Sequence, residues 1–143
     1  MTKPSLLYWI VAALLLLWNG YGVYDFTMTQ LQNEAHLAAY PDALVDYWRD
    51  FPLWVNASWG LAVWGAFIGA ILLLLRKRLA VTAFTASFVG FVLTTLYSIM
   101  SGGMALQAEY MGAAAHVFTI VIFGLAVFSI WWSMRARKRG IIN

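Results

Sequence analysis

Four long apolar runs separated by polar interruptions organise the chain: Ser5 to about Phe26, Leu53 to Leu75, Leu79 to Met100, and Met111 to Met134. Each is close to the ~20 residues that an α-helix needs to cross ~30 Å of hydrocarbon. The pattern predicts an all-α, polytopic membrane protein, a four-transmembrane-helix bundle with helices at about 5–26, 53–75, 79–100 and 111–134. The whole of 1–143 reads as a single transmembrane domain built from two hairpins. A tight Arg76-Lys77-Arg78 turn joins the hairpins, and the short SGGMALQAEY connects the third helix to the fourth. The first run is longer than the ~7–15-residue apolar core of a secretory signal and lacks a small-residue cleavage site, so it is expected to stay attached.

The loop over 27–52 is long for a compact bundle. Its first half, TMTQLQNEAHLAAY, is made of good helix formers and is expected to extend the first helix several turns beyond the membrane. Tyr40-Pro41 should then break it, because proline disfavours the helical conformation in the residue before it. The following DALVDYWRDF puts Leu44, Val45, Trp48 and Phe51 on one helical face and Asp42, Asp46 and Asp50 on another. That spacing predicts a short amphipathic helix lying on the outer surface, with Trp and Tyr at head-group level. A loop with a few anchoring aromatics is the alternative.

Composition agrees with the pattern, since 63% of the residues are hydrophobic and 10% charged, against ~25% charged in a soluble domain. Charge then supplies an orientation. Of the nine Lys and Arg residues all but Arg49 lie at Lys3, in the Arg76–Arg78 turn or in the tail at Arg135, Arg137, Lys138 and Arg139, which a four-crossing chain places on one side. The positive-inside bias makes that side cytoplasmic, with both termini inside. All six acidic residues, Asp25, Glu34, Asp42, Asp46, Asp50 and Glu109, fall outside. A multi-pass membrane location follows as the expectation; a nucleic-acid partner does not, because the basic residues mark topology and attraction to anionic lipid. Cysteine is absent, which removes thiol chemistry from consideration.

Candidate chemistry clusters toward the outer boundary. Trp18, Tyr21 and Asp25 share one face of the first helix, with Asn19 deeper and Gly20 and Gly22 leaving room for a neighbour. The second helix offers Asn56, Trp54 and Trp59; the third a stripe of Ser87, Gly90, Thr94 and Ser98 beside Tyr97; the fourth a stripe of Glu109, Gly112, His116 and Thr119. Polar groups at this depth are costly unless paired. The candidate ligand or polar cluster is therefore Asn19, Tyr21, Asp25, Asn56, Trp59, Tyr97 and His116, with His116 as a hydrogen-bond partner for Asp25 or Glu109 and His36 well outside the bilayer. A pocket of this kind would suit a sugar-like or cationic ligand through stacking and cation–π attraction. An aromatic belt with ordinary helix packing explains the same residues. Gly65 and Gly69 form a GxxxG on the second helix, open either to packing inside the bundle or to self-association, and with Trp48 they are candidate partner contacts.

Two histidines at different depths do not make a bis-imidazole haem site; no cofactor and no metal are expected. The first helix reads AALLLLW where small multidrug exporters carry a mid-membrane glutamate. No Ser/His/Asp array is evident, so the chain is not expected to be an enzyme.

At LWNGYGVYDF, FPLWVNASWGLAVWGAF and the SGG after the third helix, the sequence resembles short bacterial four-span inner-membrane proteins that carry the automatic label "sugar transporter". The resemblance covers nearly the whole chain and implies a multi-pass protein of the bacterial inner membrane, but it transfers no catalytic residue and no established substrate. The expected function is that of a non-catalytic accessory or structural subunit of a larger membrane complex, respiratory or photosynthetic in type, or of a homo-oligomer in the bilayer. The alternative is binding or transport of a sugar-like or cationic small molecule in an outward-facing polar-aromatic pocket.

Overall fold

The computed structural model describes residues 2–143. They form α1 (Leu6–Gln30), α2 (Glu34–Leu37), α3 (Asp42–Arg49), α4 (Leu53–Leu74), α5 (Leu79–Met100), α6 (Gly103–Met111) and α7 (Ala113–Lys138). The four long helices α1, α4, α5 and α7 are each long and apolar enough to cross a membrane.

Small residues decide how these four pack. Helices in lipid gain little from hiding apolar side chains from one another, so close association depends on small side chains that let backbones approach. The α4–α5 pair is the most extensive contact, with α1 laid on α4 and α7 on α5. A Cβ built on Gly90 would lie 2.5 Å from the Ser58 carbonyl oxygen and 2.8 Å from the Ala62 nitrogen, so α5 rests on α4 backbone there. Gly65 backs onto Ser87, and Gly69 receives the ring of Phe84. Ser87 Oγ also donates to the Ala62 carbonyl. The GxxxG of α4 is thus used inside the bundle, against α5.

Both ends of the chain meet the α4–α5 turn at one end of the bundle, called here the terminal end. Thr2 N donates to Gly140 O at 2.9 Å, Arg78 N to Asn143 O at 2.7 Å, and Asn143 N to Arg76 O at 3.1 Å. The Arg76 guanidinium donates to Ile141 O at 3.0 Å and to Thr2 O at 2.8 Å. Tyr8, almost fully buried, donates its hydroxyl to Leu73 O, and Ile141 and Ile142 are buried beside it.

The opposite, loop end departs from the sequence reading in two places. First, α1 stops at Gln30 instead of running on for several turns. Gln32 takes a positive φ of 52°, and its amide donates to Thr29 O at 2.8 Å, which turns the chain back. Asn33 then caps α2, its Oδ1 accepting from His36 N at 2.9 Å. Second, the connection after α5 contains a helix, α6. Gly102 (φ 81°) and Gly112 (φ 61°, ψ −146°) bracket it, and the Gly112 conformation is one that a Cβ would strain. The break at Gly112 sets Glu109 on α6 and His116 on α7, so the expected single stripe of Glu109, Gly112, His116 and Thr119 does not exist. The α3 helix packs toward α6, with Leu44 and Val45 buried against the bundle.

Gly90→Ala should cost about 1–3 kcal/mol by overpacking against α4 backbone, whereas Gly124→Ala on α7, where a Cβ meets open space, should be neutral or stabilise by up to ~1 kcal/mol. Denaturation of the two variants in detergent micelles checks the contrast.

Candidate functional site: a cavity with a polar-aromatic mouth

Because α1 and α7 flank opposite partners in the α4–α5 pair, space remains between them. A cavity of about 460 Å³ fills it, walled by α1, α4, α5 and α7 and covered at the loop end by Tyr40, Leu44, Trp48, Met104 and Gln107. It extends along α5 from Phe84 to Ser98, roughly 21 Å at the ~1.5 Å rise per residue of an α-helix. Toward the loop end the α1–α7 seam is a side-chain contact, the rings of Trp18 and Phe118 lying 6.5 Å apart between centroids.

The depth of the cavity is apolar in effect. Phe84, Phe91, Phe118, Ile122 and Leu125 contribute hydrocarbon surface. Hydroxyls also reach the wall, and four of them commit their protons to backbone carbonyls: Thr94 to Gly90 at 2.9 Å, Thr119 to Ala115 at 3.0 Å, Ser129 to Leu125 at 2.7 Å, and Ser87 across to Ala62. Thr95 and Ser98, nearer the loop end, line the cavity without a side-chain hydrogen bond to the described residues. Asn19 spends a donor in the same way, on Leu15 O at 2.8 Å.

Polarity is concentrated at the mouth. Asp25 Oδ1 lies 2.9 Å from His36 Nε2 and 2.9 Å from the Tyr40 hydroxyl. A carboxylate only accepts, so Nε2 carries the imidazole proton in this contact and the phenol is the second donor. The His36 side chain is 12% exposed and that of Asp25 31%. Burial first, and then the hydrogen bond and negative charge of Asp25, push the Tyr40 phenol above its ordinary value of 10.0. Rings surround this group in a continuous series. Tyr24 meets His36 edge-on at 5.6 Å, His36 lies 5.7 Å from Tyr40, Tyr40 packs edge-on against Trp48 at 5.1 Å, and Trp48 is 6.4 Å from Trp59. Phe26 and Phe51 close on the other sides of Trp59, at 5.0 and 6.0 Å.

The fold distributes the sequence candidates unevenly. Asn19, Tyr21, Asp25 and Trp59 line the cavity, and so does Trp48, a residue expected as a partner contact. Asn56 lies outside it and ties helix ends together, accepting from Gln30 Nε2 at 3.0 Å and donating to Phe51 O at 3.3 Å. Tyr97 is also outside, wedged between Phe51 and Trp54 at 5.6 Å from each. His116 is exposed on α7 and is not the partner of Asp25. That role falls to His36, which the chain reversal at Gln32 carries back to α1; the Gln32-Asn33 pair, ending one helix and capping the next, is the sequence signal for it. Tyr40, expected only as a helix breaker, is the second partner. The turn is braced from α3, where Arg49 donates to Gln32 and, at 3.1 Å, to Asp46.

Compared with known families, curated proteins and solved structures, the chain matches none.

His36→Ala and Tyr40→Phe should each remove about 1 kcal/mol, a hydrogen bond to a charged but part-exposed group. Faster amide hydrogen exchange over residues 33–49, with α4 and α5 unchanged, is the expected signature. The raised Tyr40 value means that the folded state holds this proton more tightly than the unfolded chain. Its contribution is present below about pH 10 and is lost as pH rises through the shifted value. In an ultraviolet titration, Tyr40→Phe should therefore delete one late-ionising phenol.

Proposed function

We propose that the protein is a non-catalytic, multi-pass membrane protein that binds one elongated small molecule between its helices, with the Asp25 mouth reading the polar end of the ligand. The observation that carries this is the cavity: its volume of about 460 Å³ falls in the ~300–1,000 Å³ range of small-molecule sites. Mostly apolar walls with a few convergent polar groups at one end are the usual make-up of such sites. The charge asymmetry of the sequence and its resemblance to bacterial four-span proteins suggest an inner-membrane location with the terminal end in the cytoplasm. The mouth would then open outward.

Service as an accessory subunit of a larger membrane complex is the competing reading. Its named contacts are less available than the sequence suggested, because Gly65 and Gly69 are packed against α5 and Trp48 covers the cavity. Ligand binding therefore has the better geometric support.

Mass spectrometry of the protein extracted in mild detergent should find a small amphiphile held in fixed stoichiometry. Ala126→Phe, which places a ring in the cavity wall, should lower its occupancy at least ten-fold while the protein still assembles. Recovery of an empty protein in fixed ratio with a large complex would favour the accessory reading instead.

A further inference from the structure

The cavity wall, among the described residues, carries one carboxylate, Asp25, and no Lys, Arg or His. Among the described residues both side-chain hydrogen bonds to that carboxylate land on Oδ1, which leaves the acceptor capacity of Oδ2 unspent. His36 and Tyr40 both donate to the same oxygen, so the pairing holds the carboxylate in place while its second oxygen stays free to meet a cation. Beside it stand large ring faces, with Tyr40 edge-on to Trp48 and Trp48 next to Trp59.

A fixed negative charge framed by Tyr and Trp is the chemistry that receives an organic cation, since the π-faces and the carboxylate attract the same charge. A sugar is poorly served. It needs many free donors and acceptors along its length, and the hydroxyls of Thr94, Thr119 and Ser129 are already committed to their own helices, which leaves the wall only Thr95 and Ser98, toward the loop end, as uncommitted hydroxyls on α5. What continues inward is mostly apolar wall, part of a cavity that runs about 21 Å along α5 by the helical rise.

On the reading that this cavity binds a small molecule, we infer that its occupant is an amphiphilic organic monocation: an alkylammonium-type head against Asp25 and the rings of Tyr40, Trp48 and Trp59, with a single apolar tail lying between α5 and α7. Head and tail are thus read by different parts of the bundle. Removing the charge from either side weakens the first contact and leaves the second.

The test compares dodecyltrimethylammonium with uncharged dodecanol, both below their aggregation limits, on the full chain in phosphatidylcholine nanodiscs, with empty nanodiscs as the blank. Calorimetric titration should show the cation bound at least ten-fold more tightly, a difference of about 1.4 kcal/mol, and Asp25→Asn should bring the two probes together. Should Asp25→Asn fail to assemble, Trp48→Leu, which strips one ring face, should reduce the preference in the same direction. Equal affinities on the unaltered protein, or a preference that survives Asp25→Asn, would overturn the cation assignment while leaving a binding cavity in place. Binding of neither probe also overturns it; the binding reading itself is decided separately, by whether a molecule co-purifies and Ala126→Phe expels it.

Discussion

At Gly90 the backbone of α5 rests on the backbone of α4, and the other long helices take their positions from that contact. Gly65 against Ser87 and Gly69 against Phe84 continue the same seam, so α4 and α5 form a closely packed spine. Each flanking helix then packs on its own member of the pair, α1 on α4 and α7 on α5. A tighter four-way bundle would bring α1 onto α7 along their whole length. Here the rings of Trp18 and Phe118 bridge them, and the space left between them is the cavity.

A carboxylate at the rim of such a space must find donors, because an unpaired charge against hydrocarbon is costly. Asp25 finds them in a segment folded back over it. The reversal at Gln32, the Asn33 cap and the turn at Tyr40-Pro41 deliver an imidazole and a phenol to the same oxygen. The cover over the cavity and the electrostatics of its mouth are therefore one construction. Loosening the first alters the second.

The long helices were legible in the sequence because the signal is redundant. Some twenty apolar residues vote for each crossing, and α5 begins and ends at the residues expected from hydropathy. The mouth was legible only on the α1 side. Helical periodicity put Trp18, Tyr21 and Asp25 on one face, but the partner of Asp25 depends on a chain reversal set by single residues. Hydropathy assigns His36 to water and His116 to the boundary, whereas Gln32 brings the first back and the exposed face of α7 carries the second away. Gly112 escaped for a related reason: one glycine at positive φ splits a polar stripe between two helices that periodicity alone treats as continuous. The GxxxG pattern announced close packing correctly without saying against what, since small residues suit an internal neighbour and a second protein equally.

The two ends of the bundle are unequal mechanically. At the terminal end, Thr2, Arg76, Arg78 and residues 140–143 are laced together by main-chain bonds and a guanidinium, and Tyr8 bolts α1 to α4. At the other end α1 and α7 touch through the rings of Trp18 and Phe118, and α3 reaches across to α6 with Tyr47 hydrogen-bonded to Ser101. Parting the outer helices at the laced end therefore breaks main-chain bonds, whereas at the mouth it parts side-chain contacts alone. The bundle is built like tweezers with a riveted heel and tips held shut by a clasp of side chains, and Asp25 sits under the clasp.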